Sequence, residues 1–90
     1  MNITKPFTFY VTPSHGYLRV PLSLIDQSHY SEYSYVGHKY AYLEEDCDAG
    51  KFMRNFESIL GFKPRLKIVQ SVSFDTRRAS KLLNRMGSVS

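Results

Sequence analysis

The stretch from Tyr42 to Gly61, YLEEDCDAGKFMRNFESILG, constrains this chain more than any other. Phe52, Met53, Phe56, Ile59 and Leu60 recur at i, i+1, i+4, i+7 and i+8, one apolar stripe at the helical period. Gly61 follows at the position where a helix commonly ends in a left-handed residue. Directly ahead stand Glu44, Glu45, Asp46 and Asp48, four carboxylates in five positions around the only cysteine, Cys47. A helix N-terminus favours such a run: an aspartate cap contributes about 1 kcal/mol, and each further carboxylate in the first turn about 0.3–1 kcal/mol. The expectation is a helix with Asp46 or Asp48 as its N-cap.

The first half reads as strands. Residues 6–11, PFTFYV, are aromatic and β-branched, and Pro13 and Gly16 punctuate a turn after them. Residues 17–25 place Leu18, Val20, Leu22 and Leu24 on one side and Tyr17, Arg19, Pro21 and Ser23 on the other, the period of a half-buried strand. Pro21 cannot donate to a ladder, so this is expected to be an edge strand, or the pairing is expected to end near it. Ser34–Val36 forms a short strand before the turn at Gly37. Residues 38–44 alternate again, with Lys39, Ala41 and Leu43 opposed to Tyr40, Tyr42 and Glu44.

Beyond the helix, Arg65–Phe74 reads as a strand with Leu66, Ile68, Val69, Val72 and Phe74 as inward candidates. Asp75 or Thr76 then caps a last helix, with Ala79, Leu82, Leu83 and Met86 at i, i+3, i+4 and i+7 before Gly87. The expected fold is α+β in the order β-β-(β)-β-α-β-α: a mainly antiparallel sheet of four to five strands with two helices packed on one face. Ninety residues make one domain, spanning 1–90, with 87–90 as a frayed tail.

A lone cysteine forms no internal disulfide, and no stretch has the length of a secretion signal or a membrane span. A cytoplasmic protein with no membrane partner is expected. Residues 1–48 carry three Lys or Arg against six Asp or Glu, a net of −3, whereas residues 49–90 carry nine against two, a net of +7. An acidic partner is therefore expected to meet the second half.

Each chemical candidate has a plainer alternative. The acidic turn has oxygen ligands for a hard cation, but it lacks the glycine and terminal glutamate of a calcium loop, and no metal is expected. Cys47 near a helix N-terminus is placed where a thiolate is favoured, with His15, His29 and His38 as available bases; the reading expected instead is a small buried thiol. A small metal-dependent or cysteine enzyme would centre on His15, Glu45, Asp46 and Cys47. No glycine-rich phosphate loop, G-x-S-x-G or paired Cys/His spacing supports catalysis, so neither enzyme nor cofactor is expected. All seven tyrosines lie in the first half, where they either line the sheet or form an interface. Arg65 and Lys67 on a strand, with Arg77, Arg78, Lys81 and Arg85 around the last helix, form the basic surface of a nucleic-acid-binding regulator. The bland alternative is a solvated helix face.

The segments HGYLRVP (15–21) and YAYLEEDCD (40–48) resemble a family of small proteins carried by bacteriophages, prophages and plasmids, whose members share HG-[YW]-L-x-V-P and Y-x-YLEEDCD. The likeness covers about residues 8–56. It implies a bacterial host cytoplasm and no particular activity, and it gives added weight to His15 and the acidic turn. The function expected is a non-enzymatic interaction protein that binds a host protein or complex, as a counter-defence inhibitor, in monomeric or homodimeric form. Its contact residues are expected to be His15, Tyr33, Tyr35, Tyr40, Tyr42, Glu44, Glu45, Asp46 and Asp48.

Overall fold

The computed structural model describes residues 5–13, 15–31, 33–70 and 84–85. Phe7–Val11 (β1) and Gly16–Pro21 (β2) pair antiparallel, with Phe9 opposite Leu18 and Val11 opposite Gly16. Thr12 closes the loop between them. Its N–H donates to the His15 carbonyl at 2.8 Å, and its Oγ1 accepts from the His15 N–H at 2.9 Å while donating to the same carbonyl at 2.8 Å.

Pro21 is the last paired residue of β2, after which Leu22–Leu24 make a single 3₁₀ turn. The Leu22 N–H still donates to the Lys39 carbonyl at 2.9 Å, so the pairing ends within a residue of Pro21, at the 3₁₀ turn. The strand is nonetheless central rather than an edge, because Tyr40–Glu44 (β4) pairs along its other side. Tyr35–Val36 (β3) pairs antiparallel with β4 in turn.

From β4 the chain enters the helix Gly50–Leu60 (α1), which ends at Gly61 with φ 80°, its N–H donating to the Glu57 carbonyl at 2.8 Å. A helical crossover carries the chain back to the end of the sheet from which β4 started. Leu66–Gln70 (β5) therefore enters in the same direction as β4 and docks parallel to β1, Phe7 opposite Leu66 through Val11 opposite Gln70. The strand order is β5-β1-β2-β4-β3-β6, with β6 being Asn84–Arg85. The sheet is thus mixed, where a mainly antiparallel one was expected; the strand–helix–strand order 40–70 is what makes the parallel pair.

One face of the sheet carries the core. Phe7, Leu18, Val20, Val36, Ala41 and Leu43 lie under Ala49, Phe52 and Phe56. Phe7 meets Phe52 and Phe56 edge-on, at centroid distances of 5.5 and 5.7 Å. The alternate residues face the other way, where Tyr17 and Tyr35 are buried and Tyr42 packs on them. Only the first part of the helical stripe is used for burial: Ile59 is 71% exposed, and Phe62 just beyond the helix packs on Phe56 at 5.5 Å. Ile68, expected inward, is 59% exposed on the edge strand β5.

The expected last helix is corrected at one point. Most of it, with Val72 and Phe74, lies outside the described residues, but Asn84 and Arg85 are extended and pair with Val36 and Tyr35. A helix running through Leu82, Leu83 and Met86 does not survive that pairing, since the open edge of β3 takes only an extended partner. The described α+β fold therefore has one α-helix. Among the described residues no helix is long and apolar enough to cross a membrane.

Truncating Phe56 to alanine is expected to cost about 3–5 kcal/mol in urea unfolding, while Ile59→Ser at the exposed end of the same stripe changes stability by no more than about 0.5 kcal/mol.

Candidate functional site

The acidic run divides into carboxylates that hold the backbone and carboxylates that face outward. Glu45–Ala49 forms a π-helical turn ahead of α1, one residue wider than an α-turn. Its cap is Glu44, the last residue of β4, whose Oε2 accepts the N–H groups of Asp46 at 3.0 Å and Cys47 at 3.1 Å. The expected caps, Asp46 and Asp48, do not serve, because the wide turn moves the helix start upstream.

Asp48 instead turns inward, 3% exposed, toward the loop that leads into β3. The Ser31 N–H donates to its two oxygens at 3.1 and 3.0 Å, and the Ser31 hydroxyl donates to Oδ2 at 2.7 Å. The buried Ser34 hydroxyl donates to Oδ2 as well, and accepts the Glu44 N–H at 2.9 Å. The loop, β4 and the π-turn are thereby tied through one carboxylate.

Glu45 lies over Gly16. A Cβ on Gly16 would stand 2.7 Å from Glu45 Oε2 and 2.7 Å from Phe9 Cζ, so only glycine lets the Phe9 ring and the carboxylate close over this backbone. The glycine after His15 thus has a packing reason. His15 itself is exposed, its ring 6.1 Å from that of Tyr17.

These elements enclose a cleft of about 380 Å³ lined by His15, Tyr17, Tyr33, Tyr35, Glu44, Asp46 and Cys47. The β1–β2 turn brings His15, the approach to β3 brings Tyr33, and the β4 end with its π-turn brings the acids and the thiol. Tyr17 and Tyr35 are buried and form its inner wall at 6.0 Å centroid distance, while Tyr33 is 57% exposed at the rim. Among the described residues no lysine or arginine lines it.

Five of the nine expected contact residues meet in this cleft: His15, Tyr33, Tyr35, Glu44 and Asp46. Glu45 covers Gly16 beside it, and Asp48 is a buried brace rather than a contact residue. Tyr42 sits in mid-sheet opposite Arg19 and Tyr35, and burial first, then the neighbouring Tyr10 hydroxyl, pushes its own hydroxyl above the usual tyrosine range. Tyr40 lies at the far end of β4, opposite Pro21. Tyr17, Ser31 and Ser34 were not singled out from the sequence. Tyr17 becomes visible as a site residue only through its register opposite Glu44.

Cys47 is exposed, yet desolvation and then the carboxylates of Glu44, Asp48 and Asp46 push its thiol above the ordinary value. The expectation of a small buried thiol is corrected, since the wide turn leaves Cys47 on the surface, and Glu44 accepts the backbone N–H groups that would have favoured a thiolate. Of the three histidines only His15 shares the cleft with the thiol; His29 faces Asp26 at 3.8 Å, and His38 lies at the opposite end of the sheet. Among the described residues no three His, Cys, Asp or Glu side chains are grouped so as to hold a metal ion.

The basic residues are dispersed. Arg65 precedes β5 and Lys67 lies on it, at one edge of the sheet, while Arg85 lies on β6 at the other, five strand spacings or about 24 Å away. Arg77, Arg78 and Lys81 lie outside the described residues. The expected ridge through Arg78, Lys81 and Arg85 fails at Arg85, which is in a strand rather than on a helix face.

Comparison with protein-family models, with curated proteins and with solved structures finds no match to this chain.

Two outcomes follow from the geometry. Gly16→Ala is expected to destabilise the fold by about 1–3 kcal/mol in denaturant titration, through overpacking against Phe9. At neutral pH Cys47 is expected to alkylate more slowly than a free cysteine, and Asp46→Asn to speed that reaction, since removing a carboxylate lowers the thiol pKa. Mass-resolved alkylation time courses check both directions.

Proposed function

We propose that the protein is a small non-enzymatic interaction protein of a phage or other mobile element, acting in the bacterial cytoplasm by occupying a surface of a host protein or complex. Its contact site is the cleft at the end of β2, β3 and β4, and the side chain it receives is a cationic one of the partner. The observation that supports this reading is the composition of that cleft. Tyrosine rings and the carboxylates of Glu44 and Asp46 line it, and the lining residues among those described include no lysine or arginine.

Tyrosine faces attract a guanidinium or ammonium group, and a carboxylate at the same point adds a charge-assisted hydrogen bond. The rim residues His15, Tyr33 and Asp46 are exposed, and they are not the groups that brace the turn, which are Glu44, Ser31, Ser34 and Asp48. A rigid aromatic rim on a braced turn suits a hot-spot contact, because little conformational freedom is lost on binding. The resemblance at 15–21 and 40–48 extends the reading to counter-defence, with a host defence complex as the partner.

Affinity capture from host lysate, with and without nuclease, tests the proposal when run in parallel with variants. One host protein is expected to remain after nuclease, and Tyr33→Ala and Asp46→Lys each to weaken its binding by about tenfold or more, with Lys67→Glu as an unaffected control. Recovery that vanishes with nuclease, or that ignores both cleft variants, overturns it.

A further inference from the structure

The strands that form the acidic cleft bound a second cleft at their other end, about 14 Å along β2. It is the larger of the two, about 540 Å³, and is set where β1 and β4 begin and β2 ends. Its lining reverses the charge: Lys5, Arg19 and Lys39 contribute to it, and among the described residues no aspartate or glutamate does. We propose that this cleft binds the phosphate of a nucleotide, with Arg19 as its fixed cation.

Arg19 carries the argument. Its guanidinium carbon lies 4.6 Å from the centroid of the Tyr40 ring and 5.9 Å from that of Tyr10. One terminal nitrogen donates to the Tyr10 hydroxyl at 3.3 Å and the other to Thr8 Oγ1 at 3.4 Å. The group is half-buried, and among the described residues no carboxylate forms an ion pair with it. A guanidinium beside tyrosine rings, with neutral oxygens as its hydrogen-bond partners, keeps its full charge and most of its five donors for a ligand. The ring contacts and the two hydrogen bonds hold the group in place in advance, so less ordering remains for binding to supply.

The surrounding charge selects the anion. Lys5 and Lys39 are exposed and add two flexible cations to the fixed one, more than a single carboxylate needs and suited to a phosphate carrying two or more charges. The apolar side of the cleft selects the rest of the ligand. Pro21, Leu22 and Leu24 offer an apolar surface for a flat base beside the phosphate, and the volume is within the range of small-ligand sites. The carboxylates at the opposite end of the same strands keep anions away from that end and favour this one.

Titration of isotope-labelled full-length protein with pyrophosphate, ADP and a thymidine decamer, followed by NMR including the arginine Nε signals, tests the assignment. Saturable shifts at Arg19, Lys39 and Tyr40 are expected with ADP, and binding about tenfold weaker with pyrophosphate, which lacks the base. Arg19→Gln and Lys39→Glu are each expected to weaken ADP by about tenfold or more, with Lys51→Glu unchanged. Because Lys39 is exposed, its variant reads binding even if Arg19→Gln unfolds the sheet. A decamer that binds more tightly than ADP, with a steeper salt dependence, identifies a strand as the source of the phosphate; equal or weaker binding identifies a free nucleotide. Either result supports the site. No saturable shift with any probe at about 10 mM, shifts unaltered by Lys39→Glu, or pyrophosphate binding as tightly as ADP overturns the proposal.

Discussion

One buried carboxylate, that of Asp48, holds three separate parts of this chain in place. It receives the backbone and hydroxyl of Ser31 and the hydroxyl of Ser34, and Ser34 passes the constraint to β4 by accepting the Glu44 N–H. Each bond to an ionised acceptor contributes about 1.5–3 kcal/mol, and a group left unpaired in this buried position would cost as much again. Without this brace the two-residue strand β3 would have little to fix it, since so short a strand is anchored by few ladder bonds of its own. The position of Tyr35 in the inner wall of the acidic cleft, and of Tyr33 at its rim, depends on it.

The same strands then give the molecule two chemically opposite ends. β2 runs from Gly16, closed over by Glu45 and Phe9, to Pro21, beside Arg19 and Tyr40. At one end tyrosines face carboxylates, and at the other tyrosines hold a guanidinium. One face of the sheet is covered by α1 through the edge-on contacts of Phe7 with Phe52 and Phe56, and both clefts lie at the ends of the strands. Seven tyrosines in the first half are what allow this division, because tyrosine packs as an apolar body and still presents a polar tip.

Much of the frame was legible from periodicity. The alternation of Leu18 and Val20, and of Ala41 and Leu43, placed the core face, and Phe52, Phe56 and Gly61 marked the helix and its end. What periodicity does not encode is pairing. The parallel docking of β5 against β1, and the central rather than edge position of β2, are long-range choices in which Pro21 and the β5 residues read the same either way. At the site, the acidic run was legible as a helix start, but the cap fell to Glu44 rather than Asp46 or Asp48. A π-turn leaves no periodic mark, and the serines that donate to the displaced Asp48 lie 14 and 17 residues away in sequence. The helical pattern around Ala79 and Leu82 was local, and its continuation to Met86 is overridden at Asn84–Arg85 by the open edge of β3.

Amide hydrogen exchange on the full-length protein and on Asp48→Asn tests the brace most directly. The Ser31 and Glu44 amides, which end on Asp48 and Ser34, are predicted to exchange in the native protein within about tenfold of core amides such as that of Leu18, and to lose most of that protection in the variant while Leu18 keeps its own. Ser31 and Glu44 amides that exchange like open loop residues in the native protein, or that are indifferent to the variant, would contradict the account.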